Sequence, residues 1–138
     1  MKMSELVIVD SNLVISALIS KSEKILHTLS SPEIIFVTTK YLVVELFEHA
    51  PRIHEKTQLS RDQQLDLLNI ILGNLRLIDD DLISVGSWVE AARLCRGVDM
   101  DDIAFVALTL EMNGRLWTRD RPLRSHLLRH GFFSFFDI

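Results

Sequence analysis

Leu6 to Val9 is an unbroken apolar run that ends in Asp10, and the positions after it change to helical spacing. A β-branched run of this length, followed by small polar residues, has the pattern of a strand buried on both faces. NLVISALIS and SEKILHTLSS then predict a helix or a pair of short helices, with Ser22 as a candidate cap. A second β-branched run, EIIFVTT from Glu33 to Thr39, follows a turn at Pro32. Strand, helix and strand in this order make a βαβ unit, which predicts a parallel sheet.

The same alternation continues to the end. YLVVELFEHA, Tyr41 to Ala50, is helical, and Pro51 is expected to kink it or begin a new segment. SRDQQLDLLNIILGNL opens on the capping box of Ser60 and Gln63, and its Leu65, Leu68, Leu72 and Leu75 share one stripe assigned to the core. LRLID predicts a short strand, and ISVGSWVEAARLCRG a helix stopped by Gly97. DMDDIAFVALTLEMNG is a helix with acids in its first turn and Gly114 just past its end. RLWT is a strand, PLRSHLLRHG a helix begun by proline, and FFSFFDI a final strand. The expectation is one domain over residues 1–138, an α/β fold built as a three-layer α/β/α sandwich around a mostly parallel, five-stranded sheet.

Composition adds bounds. With 48% apolar and 25% charged residues in 138, the chain is globular and greasier than average, which hints at a partner surface. Its apolar runs fall far short of the ~20 residues of a bilayer-spanning helix, and MKMSEL lacks the character of a signal peptide, so a soluble cytoplasmic protein is expected. The single cysteine, Cys95, excludes an internal disulfide and a thiolate zinc cage, and reads as core filler. A net charge of -4 argues against a simple polyanion binder. Its distribution is uneven, however. Arg115 to His130 holds five arginines and two histidines against one aspartate, whereas Asp79 to Asp81 and Asp99 to Asp102 are acidic.

Asp10 invites two readings. It suits a helix cap, and it also closes a strand of a parallel sheet, where ligands bind outside the carboxyl ends. Asp120 closes the strand RLWTR, Asp102 opens the helix before that strand, and Glu45 lies near the start of the helix after the second strand. Gathered at one edge, four carboxylates repel one another and call for a cation. Oxygen-only ligation points to magnesium or manganese and to metal-assisted hydrolysis of a phosphate-bearing substrate. Arg119, Arg121 and Arg124, close to Asp120, are candidate phosphate contacts.

VDSNLVISAL, the glutamate of VVELFEH, DDIAFVALTL and LWTRDRPL resemble, in this order, the four signature segments of PIN-domain ribonucleases. The resemblance covers almost the whole chain. It implies that Asp10, Glu45, Asp102 and Asp120 form a catalytic, metal-binding pocket, and that Asn12 and Thr118 brace it by hydrogen bonds. It also implies a parallel α/β/α sandwich. Many small prokaryotic members are VapC-type toxins, dimeric and inhibited by a cognate antitoxin, so RNA, an antitoxin and a second copy are the implied partners. Between Pro51 and Gly97 the match is one of architecture only. DMDD offers three aspartates for one principal ligand. Asp102 fits the apolar face of DIAFVALT, Asp99 is left as an outer ligand, and Asp101 as a solvated cap.

Other candidates carry less. His126 and His130 have a metal-like spacing, but no glutamate follows His126 as in a zincin. His49, four residues from Glu45, has the spacing to pair with it but reads rather as a solvated surface histidine, and Asp79 to Asp81 as a polar turn. The expected activity is a metal-dependent endoribonuclease. Three readings compete with it: a non-toxin RNA-processing nuclease, an aspartyl-phosphate enzyme or receiver, against which Asn12 stands where a second aspartate belongs, and a catalytically idle RNA- or protein-binding module.

Overall fold

A computed structural model of the protein describes residues 5–98 and 100–138. The first run is a strand, β1 (Glu5–Val9), followed by helices α1 (Ser11–Ser20) and α2 (Glu23–Leu29) and strand β2 (Ile34–Thr39). Ser22 caps α2 by accepting the N–H of Ile25 at 3.3 Å. Helices α3 (Tyr41–Lys56) and α4 (Arg61–Gly73), strand β3 (Arg76–Ile78), helices α5 (Val85–Leu94) and α6 (Ile103–Met112), strand β4 (Arg115–Trp117) and helix α7 (Arg121–Arg129) complete the order.

Among the described residues the sheet has four parallel strands in the order β3-β2-β1-β4. The fifth expected strand is reduced to one parallel bridge between Leu116 and Phe135. Its residues serve instead as an aromatic cover. Phe136 meets Trp117 edge-on at 5.3 Å and Phe36 at 6.4 Å, and Phe132 meets Phe135 at 5.3 Å.

Connection handedness then sets the layers. The steps β1 to β2 to β3 run one way across the sheet, and right-handed crossovers place α1 to α4 on one face. The step from β3 back to β4 runs the other way, so α5 and α6 cover the opposite face, where α6 packs on β1, β2 and β4. Continuing outward from β4, α7 joins α5 and α6. Neighbouring β1 and β4 therefore send their outgoing chains to opposite faces, and a crevice opens between their carboxyl ends.

Two expectations need correction. Pro51 does not begin a new segment: helix α3 continues through it to Lys56, because proline at this point removes only the bond to the Phe47 carbonyl and the remaining turns hold. The leucine stripe of α4 is not core throughout. Leu67 and Ile71 are buried, whereas Leu65 is 54% exposed, because the side of α4 bearing Leu65, Leu68 and Leu72 faces an open groove against α3. Gly114 has a further role besides following a helix. Asn113 takes the left-handed turn at φ 51°, and a Cβ on Gly114 would stand 2.5 Å from Ile8 Cδ1 and 3.0 Å from the Leu6 carbonyl oxygen. A larger residue here would have to displace the buried Ile8 side chain and press on the β1 backbone, which favours glycine where β4 meets β1.

Candidate metal centre

Asp10 is the first residue past β1 and the N-cap of α1, where its Oδ1 accepts the N–H of Asn12 at 2.8 Å. Capping thus accounts for one oxygen. The other, Oδ2, is buried without a hydrogen-bond partner, in a residue only 1% exposed. Burial pushes this carboxyl up to about 7; the charge of Asp120 adds to the rise, and the Thr118 hydroxyl with the N–H groups of Asn12 and Leu13 opposes it.

Asp120 opens α7 in a similar way, its Oδ1 accepting the N–H of Leu123 at 3.1 Å. Its own N–H donates to Thr118 Oγ1 at 3.0 Å. Across the crevice, Asn12 Oδ1 accepts the N–H of Arg119 at 3.0 Å, and Asn12 Nδ2 lies 3.4 Å from Thr118 Oγ1. The turns after β1 and β4 are tied together by these bonds.

Glu45, 4% exposed, comes from α3. Burial raises its carboxyl most, then the charge of Asp101, while His49 and a bond to the Ser11 side chain act against the rise. Ser11 directly follows Asp10, so one residue links the two acids. His49, expected to be a solvated bystander, sets Nε2 3.4 Å from Glu45 Oε2.

Oxygens of Glu45, Glu48 and Asp101 all lie within 4.8 Å of one another. Asp101 is exposed, but it is more than a solvated cap, since Tyr41 donates its hydroxyl to Asp101 Oδ1 at 3.2 Å. Burial and then the bond to Asp101 push the Tyr41 phenol up to about 12, which keeps it a donor. Asp102 closes a 3₁₀ turn, Met100–Asp102, and is 8% exposed. It lies near Cys95, whose thiol is pushed up to about 11 by burial and then by the Asp102 charge. Asp99 falls outside the described residues.

Sequence reasoning missed Glu48 and Tyr41. Their signal was present: Tyr41, Glu45 and Glu48 stand at i, i+4 and i+7 and so share one face of α3.

The arginines divide. Arg119 and Arg121 are exposed beside Asp120. Arg124 is bound to Asp137 at two points, 2.7 and 2.9 Å, and its guanidinium stands 4.5 Å from the Phe135 ring centre. His126 and His130 stack at 4.1 Å, with His126 Nε2 buried and unpartnered. Asp79 caps a 3₁₀ turn at Asp80–Leu82 and pairs with Lys40 at 3.2 Å. The three-carboxylate group of Glu45, Glu48 and Asp101 is an all-oxygen donor set of the kind that suits a hard divalent cation; of the four acids expected from the sequence it includes Glu45 alone, and the orphaned Oδ2 of Asp10 lies outside it, while a soft-metal group of histidine and cysteine is absent among the described residues.

A comparison with curated protein sequences finds no match. Two solved structures share the fold. A chain of VapBC2 from Rickettsia felis, bound to a DNA fragment from their promoter, superposes with a TM-score of 0.68 at 13% identity over 87% of this chain and 92% of that one. A chain of VapBC-1 from nontypeable Haemophilus influenzae gives a TM-score of 0.60 at 15% identity over 90% and 93%. At these identities the likeness is one of fold. A family profile described as PIN domain matches residues 8–130, which include the turns after β1 and β4 and all four candidate acids, and the chain therefore belongs to the PIN-domain family.

Proposed function

We propose that this protein is a metal-dependent endoribonuclease, that residues 1–138 act as one nuclease domain, and that Asp10, Glu45, Asp102 and Asp120 hold magnesium or manganese. The observation that carries this reading is the buried, unpartnered Oδ2 of Asp10, facing the charge of Asp120 at the crevice between β1 and β4. A buried acid without a partner is costly to keep ionised, and a cation removes that cost.

A divalent cation held there supplies charge stabilisation for a phosphoryl oxygen and makes water a better nucleophile. The chain's own groups do the rest. Asp10 and Asp120 head the two turns after β1 and β4, which Asn12 and Thr118 tie together, and Glu45 on α3 is linked to the Asp10 turn through the Ser11 side chain. Arg119 and Arg121 receive the RNA backbone, since Arg124 is already engaged by Asp137. In-line attack by water leaves 5'-phosphate and 3'-hydroxyl ends.

We further propose that the protein is the toxin of a toxin–antitoxin pair, acting in the cytoplasm as a homodimer. Two structures of the same fold are named as VapBC complexes. Between α3 and α4 a groove of about 680 Å³, lined by Leu46, Phe47, Pro51, Leu65, Leu68 and Leu72, offers apolar area to a partner protein. Phe47 is 78% exposed, a large apolar surface to leave in water. Among the described residues no helix is long and apolar enough to cross a membrane.

The test is incubation of single-stranded RNA with the pure protein and manganese or magnesium, with and without chelator, followed by end-group analysis. Cleavage that needs metal and leaves 5'-phosphate supports the reading. Cleavage that persists in chelator, or a stable phosphate on Asp10, would overturn it.

A further inference from the structure

We infer that the exposed side of α7 is a track for single-stranded RNA leaving the crevice, on which Arg96 and Arg129 hold backbone phosphates and the Phe133 ring stacks on an unpaired base. The inference rests on the ribonuclease reading above and names where the strand runs beyond the acids.

Which arginines are free decides the matter first. Asp120 is the single acid between Arg115 and Phe136, in a chain whose net charge is -4. Within that stretch Arg115 is bound to Glu5 and Arg124 to Asp137, whereas Arg119, Arg121 and Arg129 enter no ion pair among the described residues. Helix geometry puts Arg121, Ser125, Leu128 and Arg129 within about 100° of one another. All four are exposed, while Leu123, His126 and Leu127 are buried on the other side. Arg129 lies eight residues past Arg121, about 12 Å farther along the helix axis.

A second element adds to this face. A Cβ on Gly97 would stand 3.6 Å from Cε1 of His126, so the turn after α5 packs against α7. That turn brings Arg96 to the flank of α7, exposed and likewise in no ion pair among the described residues. Free guanidinium groups brought together from two elements are complementary to a phosphate backbone.

The far end of the helix supplies a ring. Gly131 takes a left-handed turn at φ 89°, its N–H donating to the Leu128 carbonyl at 3.3 Å and that of Phe132 to the Leu127 carbonyl at 3.0 Å. This Schellman closure turns Phe132 inward, where it meets Phe135, and leaves the next ring outside. Phe133 is 71% exposed and takes part in none of the ring contacts among the described residues. An unpaired base can stack on such a ring, and a base held in a duplex cannot. The charge selects the occupant: arginines beside one exposed ring suit a strand of phosphates and bases, whereas the apolar surface offered to a protein lies between α3 and α4.

The probe is a fluorescein-labelled RNA of about fifteen nucleotides, single-stranded or annealed to its complement, read by anisotropy in chelator at several salt concentrations. Arg96→Ala and Arg129→Ala are each expected to reduce the slope of log K against log salt by about 0.7. Phe133→Leu keeps an apolar side chain and removes the ring. It is expected to weaken the single strand about fivefold or more, to leave the salt slope and the duplex affinity unchanged, and to melt with the wild type. With manganese present, all three variants should raise KM for the single strand and keep kcat. Wild-type affinity in Phe133→Leu, or unchanged slopes in both arginine variants, would overturn the inference. Equal weakening of single strand and duplex by Phe133→Leu would do the same, as would a change in its oligomeric state by sedimentation, which would give the ring to a protein partner. A wild-type chain that binds the single strand with these sensitivities but cuts nothing in manganese would refute the ribonuclease reading and leave the track standing. One that binds no RNA would overturn both.

Discussion

Asn12 and Arg119 stand 107 residues apart, and the Asn12 side-chain oxygen accepts the Arg119 backbone N–H at 3.0 Å. That bond, with the contact to Thr118, sets the width of the crevice between β1 and β4. Asn12→Ala leaves the Arg119 N–H without its acceptor and is expected to cost about 1–2 kcal/mol in urea unfolding. Asn12→Asp keeps an acceptor but places a charge two residues from Asp10, so it should cut cleavage more than it lowers stability. Parallel losses in both variants would show that the amide serves the fold alone.

Asp10→Asn retains the oxygen that caps α1 and removes the charge. Asparagine and aspartate cap equally well, so the metal-free melting temperature should hold or rise at neutral pH. Cleavage should fall by about two orders of magnitude or more. Full activity in this variant would remove Asp10 from the site.

The same residue sets a pH dependence. Its carboxyl is raised from 3.8 to about 7 in the folded chain. The native state therefore binds this proton more tightly than the unfolded state does, and the contribution of Asp10 to stability falls as pH rises from about 4 to 7, then levels. Its slope is at most ~1.4 kcal/mol per pH unit. In chelator, wild type should lose stability relative to Asp10→Asn between pH 5 and pH 8. Manganese affinity should rise over the same interval, since binding displaces the proton. Identical pH profiles for the two proteins would contradict the assignment.

For the DMDD segment, Asp102→Ala should reduce cleavage at least about a hundredfold at any manganese concentration. Asp101→Ala should show a smaller loss that excess manganese recovers. A manganese titration of rate separates the two behaviours, and the reverse pattern would move the principal ligand by one residue.

Arg121→Ala and Arg124→Ala should differ in kind. The first should weaken binding to RNA of any sequence and reduce the salt dependence of log K by about one phosphate's worth. The second frees Asp137 and the Phe135 ring, so it should lower the melting temperature by a few degrees and leave the salt slope unchanged. Filter binding at several salt concentrations reads the first, and thermal unfolding the second.

Much of the fold was legible because its signals are local. The run ending at Asp10, the Ser22 cap and the Ser60–Gln63 box each declare an element within a few residues, and the structure forms all three. Leu65 was misassigned because a stripe of leucines looks the same whether it faces a core or an open groove. FFSFFDI reads as a strand from its aromatic density, yet one bridge suffices when Phe135 and Phe136 are held by rings and arginines instead. Within the site, Asp10, Glu45 and Asp120 were visible as acids at strand ends or on the next helix. Tyr41, Glu48 and His49 approach Glu45 or Asp101 in the fold; spacing on α3 shows that Tyr41 and Glu48 share the Glu45 face, but not which groups from other elements that face meets.

The order β3-β2-β1-β4 also bears on the moment at which the pocket comes into being. Strand β1 precedes its neighbour β2 by some twenty-five residues, but its other neighbour, β4, begins only at Arg115. A chain emerging from a ribosome therefore carries Asp10 and Glu45 long before Asp120 exists. Translation proceeds at about 5–20 residues per second, so the half-built sheet waits for seconds with an open edge along β1. The candidate site is therefore a late product of the chain, since its two turns cannot be tied together before β4 and the turn after it have been made.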